Sequence, residues 1–249
     1  MKLLNLKHAS QLILIVIAMG TVATINVNAQ QKQARKQKAP AARAITVEDI
    51  RQAEQSLSDL GYWTGPIDGR MDESTRSAII AFQKVEGRTP AGRLTEAELQ
   101  VIRSATRPSP LETGYAHVEA DLGKQVLFVV DENGTVTKVL PISSGSGEEF
   151  TSEGWTRRAV TPTGRFKVYR KVEGWRKAPL GSIYYPNYFL SGVAIHGSPS
   201  VPTRPASHGC IRIPVFAAKE FSEMTPNGTV VLVHGGSAFA QSKTTASSR

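Results

Sequence analysis

A mainly β domain preceded by a small three-helix bundle is the fold that the sequence predicts, and three observations predict it. Up to about residue 105 apolar side chains recur at helical spacing, whereas from about residue 115 they alternate, the period of a half-buried strand. The change falls at "RPSPLETG", residues 107–114, whose two prolines fit neither a helix interior nor a central strand. Beyond it, short β-branched runs are punctuated by Gly and Pro, as in antiparallel sheets.

The first 29 residues read as a secretory signal. Lys2, Lys7 and His8 precede the apolar run "LILIVIAM", and a small-x-small ending, "VNA", closes at Ala29. The run is shorter than the ~20 residues of a membrane-spanning helix, which leaves a retained anchor as the alternative. The chain is therefore expected to be exported, to the periplasm or cell wall. Residues 30–44, "QQKQARKQKAPAARA", lack apolar periodicity and read as a basic disordered linker, either a spacer or a weak contact to anionic polymer or headgroups.

The formal charge of +9 is concentrated in that N-terminal region. Residues 1–44 hold seven Lys or Arg and no acid, whereas residues 45–249 hold 23 basic and 21 acidic side chains. The folded part is nearly balanced, so no nucleic-acid partner is expected.

Three helices follow. In "TVEDIRQAEQSLSDLGY", Ile50, Ala53, Leu57 and Leu60 share a face, Thr46 and Asp49 match a capping box, and Gly61 marks the stop. A second helix starts near Asp72 with Ala78, Ile79 and Phe82 inside; a third follows Thr95 with Leu99 and Ile102 inside. Candidate strands are "AHVEADL", "QVLFVVD", "TVTKVLPIS", "GRFKVYR", "NYFLSGVAIHG" and "TVVLVHG", and Asn133-Gly134 is a hairpin signal between the second and third. Residues 236–249 read as a flexible tail.

Cys210, in "PASHGCIRIP", is the only cysteine of a chain expected to be exported, so no disulfide forms within it. If "SHGCIRI" is extended, His208, Cys210 and Arg212 face one side and Ile211 and Ile213 the other, which sets the thiol on the polar face. An adjacent imidazole can take the proton of a thiol or pair with its anion, and His208 is near enough in sequence to do so. Gly209 blocks nothing, and its dihedral freedom lets backbone N–H groups turn toward a developing oxyanion. Pro214 fits the first position of a helix carrying Ala217, Phe221 and Met224 on one face.

Two resemblances add to this. Leu60-Gly61-Tyr62, Gly65, Ile67-Asp68-Gly69, Thr75, Ala78 and Phe82-Gln83 resemble the peptidoglycan-binding domain of bacterial wall enzymes, over residues 45–105. His196-Gly197, then Ser-His-Gly-Cys-x-Arg at residues 207–212, with "TPTGRF" upstream, resembles the L,D-transpeptidases, over residues 115–235. The second resemblance implies a β-sandwich-like catalytic domain with Cys210 as nucleophile, His208 as its base and a backbone carbonyl holding the other imidazole nitrogen. It implies a stem tetrapeptide as substrate, release of D-alanine from an acyl-enzyme, and a 3→3 cross-link. Hydrolysis, which would make the protein an L,D-carboxypeptidase, and a non-catalytic wall-binding protein are the alternatives.

On this reading His196, Gly197, Ser207 and Arg212 are substrate-side residues, with Arg212 either binding a carboxylate or bracing the loop. His117 and His234 are structural. No metal and no cofactor are expected, and the partner is peptidoglycan, met by a monomer. Chemistry is expected to lie after residue 115, with the helical module serving only to hold the wall. Arg157, Arg158, Arg165, Lys167, Arg170, Lys171, Arg176 and Lys177 form a basic run opposed by Glu173, read as a solvated face or as a contact to carboxylate-rich stems.

Overall fold

The computed structural model describes residues 43–235. The expected signal, most of the linker and the C-terminal tail lie outside the described residues. The linker ends earlier than expected, because Arg43 is paired with Asp49 at 2.8 Å and with Glu96 at 2.6 Å.

Helix α1 (Val47–Asp59) starts at the Thr46–Asp49 capping box, α2 (Glu73–Val85) at Asp72, and α3 (Glu96–Ser104) at Thr95. In each, the cap side chain accepts an N–H of the first turn, satisfying one of the donors a helix start leaves unpaired. Twelve strands follow: β1 (His117–Asp121), β2 (Val126–Val130), β3 (Val136–Pro141), β4 (Glu149–Ser152), β5 (Trp155–Arg158), β6 (Gly164–Lys167), β7 (Arg170–Lys171), β8 (Trp175–Ala178), β9 (Gly181–Leu190), β10 (Val193–Ser198), β11 (Ile211–Pro214) and β12 (Val230–His234). Helix α4 (Val215–Met224) lies between the last two. Its cap is Pro214 itself, one position before the expected place, and Met224 is exposed rather than packed with Ala217 and Phe221.

One sheet runs β3-β2-β1-β12-β6 and the other β11-β10-β9-β7, with β8 also paired to β9. Pairing is mainly antiparallel, but β1–β12 and β10–β11 are parallel. The segment "NYFLSGVAIHG" divides into two paired strands, and "GRFKVYR" into β6 and β7. The sheets share one core, in which Val118, Leu127, Val129, Leu140 and Ile142 of the first meet Phe189, Ile195, Ile211 and Ile213 of the second and Phe221 of α4.

Strand β2 is buried along its whole length. Leu127 and Val129 face the inter-sheet core, while Val126, Phe128 and Val130 join Val136 and Val139 of β3 in a second core with Leu57, Tyr62, Ile79, Phe82, Leu99 and Ile102. The helical bundle is therefore the cover of the first sheet, which explains why "VLFVV" reads as a continuous apolar run. The bundle is also bonded to the sheet: Val139 N–H donates to Gly61 O at 2.8 Å, and Trp63 N–H to Val139 O at 3.2 Å. The intervening stretch is pinned as well. The N–H groups of Leu111 and Glu112 each donate to the buried Glu119 carboxylate at 2.8 Å. The described residues form one compact unit.

Candidate active site

Strands β10 and β11 position the candidate site residues. In their parallel ladder Ile195 pairs with Ile211 and His196 with Arg212. Ile195, Ile211 and Ile213 are fully buried in the core, so His196 and Arg212 take the opposite face. Cys210, one residue before β11, falls on that same face, diagonally from His196. All three line a cleft of about 420 Å³.

The alternation expected for "SHGCIRI" is kept in burial: His208, Cys210 and Arg212 are on the open side, and Ile211 and Ile213 are buried. Residues 207–210 form a bend, and Gly209 has φ +132°, a region that side chains rarely enter. A Cβ there would lie 3.0 Å from Val160 O. His208 lines the same cleft and is exposed, its ring edge-on to Phe150 at 4.7 Å. Among the described residues no hydrogen bond joins His208 to Cys210, and the Sγ–H donates to Gly192 O at 3.7 Å.

The carbonyl-held imidazole is found at His196. Its Nδ1 lies 2.9 Å from Gly197 O, and donation to that carbonyl makes Nε2 the free lone pair of the neutral ring. Burial pushes the His196 pKa below its ordinary value; the Gly197 bond opposes this and the Arg212 charge adds to it. Burial likewise pushes the Cys210 thiol up, against the Ala194 backbone and the Arg212 charge. Both shifts favour the neutral forms, thiol and free imidazole.

Three expected substrate or oxyanion residues are bonded within the site. Gly197 lends its carbonyl to His196, and a Cβ there would meet Ala218 at 2.7 Å. Ser207 is buried, donates to Cys210 O at 2.5 Å and accepts the Gly209 N–H at 3.0 Å. That bond occupies the Gly209 amide, so Gly209 supplies the turn rather than a free oxyanion donor. Arg212 is half-buried in the cleft wall and, among the described residues, has no ion-pair partner, while its backbone pairs with Ser143. His117, bonded to Tyr115 O and Glu119, and His234 beside Glu119 are outside the cleft lining.

Sequence reasoning missed the groups that hold the bend. Thr161, within "TPTGRF", donates from Oγ1 to Gly209 O at 2.8 Å and accepts the Gly145 N–H at 2.8 Å. The strap after β3, residues 143–146, takes the N–H groups of Ala206 and Ser207 on Ser144 O at 2.9 Å each. A Cβ on Gly145 would sit 2.3 Å from Ala159 O, so only glycine fits there. The signal was present as "SSGS" directly after a strand, a run that otherwise reads as an ordinary loop.

Comparison with known proteins shows the family. The L,D-transpeptidase catalytic domain (YkuD) family matches residues 115–233, and a peptidoglycan binding domain family matches residues 46–102. The L,D-transpeptidase of Xylanimonas cellulosilytica is 36% identical, with a TM-score of 0.71, over 78% of this chain and 95% of that one. An L,D-transpeptidase of Stackebrandtia nassauensis is 23% identical, with a TM-score of 0.44, over 76% of this chain and 92% of that one. No curated protein matches significantly. The chain belongs to the YkuD family of L,D-transpeptidases and carries an N-terminal peptidoglycan-binding domain.

Proposed function

We propose that Cys210 is the nucleophile of an L,D-transpeptidase reaction on peptidoglycan stem tetrapeptides and that His196, rather than His208, is its base. The observation that carries this reading is the His196 imidazole: fixed through Nδ1 to the Gly197 carbonyl, it presents a free Nε2 on the strand face it shares with Cys210. Because both shifts favour the neutral forms, proton transfer accompanies attack. Nε2 takes the thiol proton as sulfur bonds to the carbonyl carbon between the L-centre of the diamino acid and the terminal D-alanine. The imidazolium then returns that proton to the departing amine. D-alanine leaves, and the acyl group remains on Cys210. An amine of a second stem attacks the thioester, His196 accepts its proton, and the thiol is restored with a 3→3 cross-link. Water in place of the amine gives the L,D-carboxypeptidase outcome.

Arg212 supports this reading as a cation in the cleft for a stem carboxylate, and Arg157, Arg170 and Arg176 around the same cleft suit an anionic substrate. The peptidoglycan-binding domain holds the wall, and export to the periplasm or wall brings enzyme and polymer together.

The test is acylation by a carbapenem, read by intact mass, beside turnover of a defined tetrapeptide. Cys210→Ala is expected to lose both. His196→Ala is expected to slow both by ~10² to 10⁴-fold, the range of general-base assistance, and His208→Ala by less than ~10-fold. The lowered His196 pKa keeps the base neutral below the ordinary imidazole range, so the acid limb of the wild-type rate should lie below pH 6.5. If His208→Ala is the slower variant, the base is His208.

A further inference from the structure

We infer that Lys84, a residue of the peptidoglycan-binding domain, is a positioning residue for Cys210, holding from below the strap on which the Ser-His-Gly-Cys bend hangs. The inference rests on the proposed role of Cys210 and adds a part of the machinery outside the catalytic domain.

Lysine on a helix ordinarily reaches water. Lys84 instead buries its chain under the first sheet and is 6% exposed. Its Nζ donates to Gln125 O and to Ile142 O, each at 3.0 Å. Burial alone brings its pKa down to about 8, the mark of an ammonium separated from water. The two carbonyls are what it receives in return, and they are the first links of a continuous chain.

Gln125 is the second link. Its backbone is left-handed, with φ +57°, at the entry to β2. Its carbonyl also accepts the Ile142 N–H at 3.0 Å, so Lys84 closes a ring around the start of the strap. Its side chain then grips the strap directly: Oε1 accepts the Ser144 N–H at 2.9 Å, and Nε2 donates to Ser144 Oγ and to Leu122 O at 2.7 Å each. Ser144 O takes the Ala206 and Ser207 amides, and the neighbouring Ser143 exchanges backbone bonds with Arg212 at 3.0 and 3.1 Å. Ser207 Oγ ends the chain on Cys210 O. Every bond between Nζ and the thiol-bearing residue is thus within hydrogen-bond range, and Gln125, Ser143, Ser144 and Ser207 are all buried. Removing the ammonium leaves Ile142 O buried without its donor, and the strap must shift to find another. Displacement of about 1 Å at a nucleophile costs up to ~10²-fold in rate.

The experiment uses the full chain with Lys84→Met, which keeps length and apolar volume, and Lys84→Gln, which keeps a neutral donor. Expected for Lys84→Met is a kcat on soluble tetrapeptide ~10- to 100-fold lower with KM within about threefold, the signature of misplacement rather than lost binding. Lys84→Gln should recover part of the loss. Amide hydrogen exchange should rise in residues 206–212 of Lys84→Met, far along the chain from the substitution, while the α1 amides stay protected. Folded Lys84→Met with wild-type kcat and unchanged exchange at residues 206–212 overturns the inference. Should Lys84→Met fail to fold, Gln125→Gly decides, since it relieves the left-handed backbone while cutting the grip on Ser144. Wild-type kcat and exchange there overturn it equally. Cys210→Ala separates the two readings: a fully active Cys210→Ala refutes the nucleophile assignment, whereas an inactive one beside normal Lys84 variants refutes only this inference.

Discussion

At the floor of the cleft Ser207 and Gly209 are buried, and bonds from Thr161 and Ser207 hold the turn before Cys210. At its rim β5 is exposed at every residue, β8 at most of its residues and β4 at half, with Trp155 and Trp175 more than half in solvent. The floor is held by many short bonds to buried partners, and the rim by hairpin ladders with a few exposed side-chain contacts, such as Thr151–Thr156 and Arg158–Glu149. The nucleophile proposed at Cys210 would tolerate little displacement, whereas a charged, exposed rim suits the proposed polymer substrate through long side chains. Damage to the floor should therefore appear in kcat and damage to the rim in KM.

The largest effect should come from removing what the floor stands on. Deleting residues 43–105 would bare Val126, Phe128, Val130, Val136 and Val139, the sheet face that the helices cover. At about 1.5–3 kcal/mol per side chain this is on the order of 10 kcal/mol, comparable with the whole stability of a domain. The expected separation of a wall-holding module from an independent catalytic domain thus gives way to a shared core. The truncated chain should be insoluble or lack a cooperative thermal transition. A truncation that melts cooperatively and keeps wild-type turnover of soluble muropeptide would show that the floor does not need this support.

Within the floor, Gly145→Ala is the sharper probe, because it touches neither the thiol nor an imidazole. Its Cβ would stand 2.3 Å from Ala159 O, backbone that cannot rotate away, so the strap or the Ala159 segment must move. Overpacking of this kind costs about 1–3 kcal/mol. The expected outcome is a folded protein with a kcat ~10- to 100-fold lower and little change in KM. A KM rise at constant kcat, measured at a temperature where circular dichroism shows a folded chain, would put the strap in substrate binding instead.

Local signals were the legible ones. Thr46, Asp72 and Thr95 start their helices because a cap and its amide lie within one turn. Cys210 and Arg212 were placed on the open face by the buried isoleucines between and after them. The bend at Gly209, with its positive φ, was not legible, because residue alternation does not encode it. Strands β4, β5 and β8 escaped notice because they bury neither face, leaving no apolar rhythm to read. His196 as the carbonyl-held ring, Thr161 under the bend and Lys84 under the sheet depend on contacts between residues far apart in sequence. Composition and spacing carry no trace of such contacts.

At the rim the smallest effect is expected, and its kind matters more than its size. Arg157 on β5 and Arg176 on β8 line the cleft from exposed hairpins, and neither has an ion-pair partner among the described residues. Contacts between solvent-exposed charges are worth about 0–1 kcal/mol, so Arg157→Ala or Arg176→Ala should raise KM about two- to fivefold and leave kcat nearly unchanged. Because such attraction is screened over about 8–10 Å at physiological salt, raising ionic strength should raise the wild-type KM toward that of the variants. The variants themselves should respond less. Steady-state kinetics on soluble tetrapeptide at low and high salt read both quantities at once. A fall in kcat at constant KM, or a salt response identical in wild type and variants, would place these arginines with the floor and erase the division between the two regions.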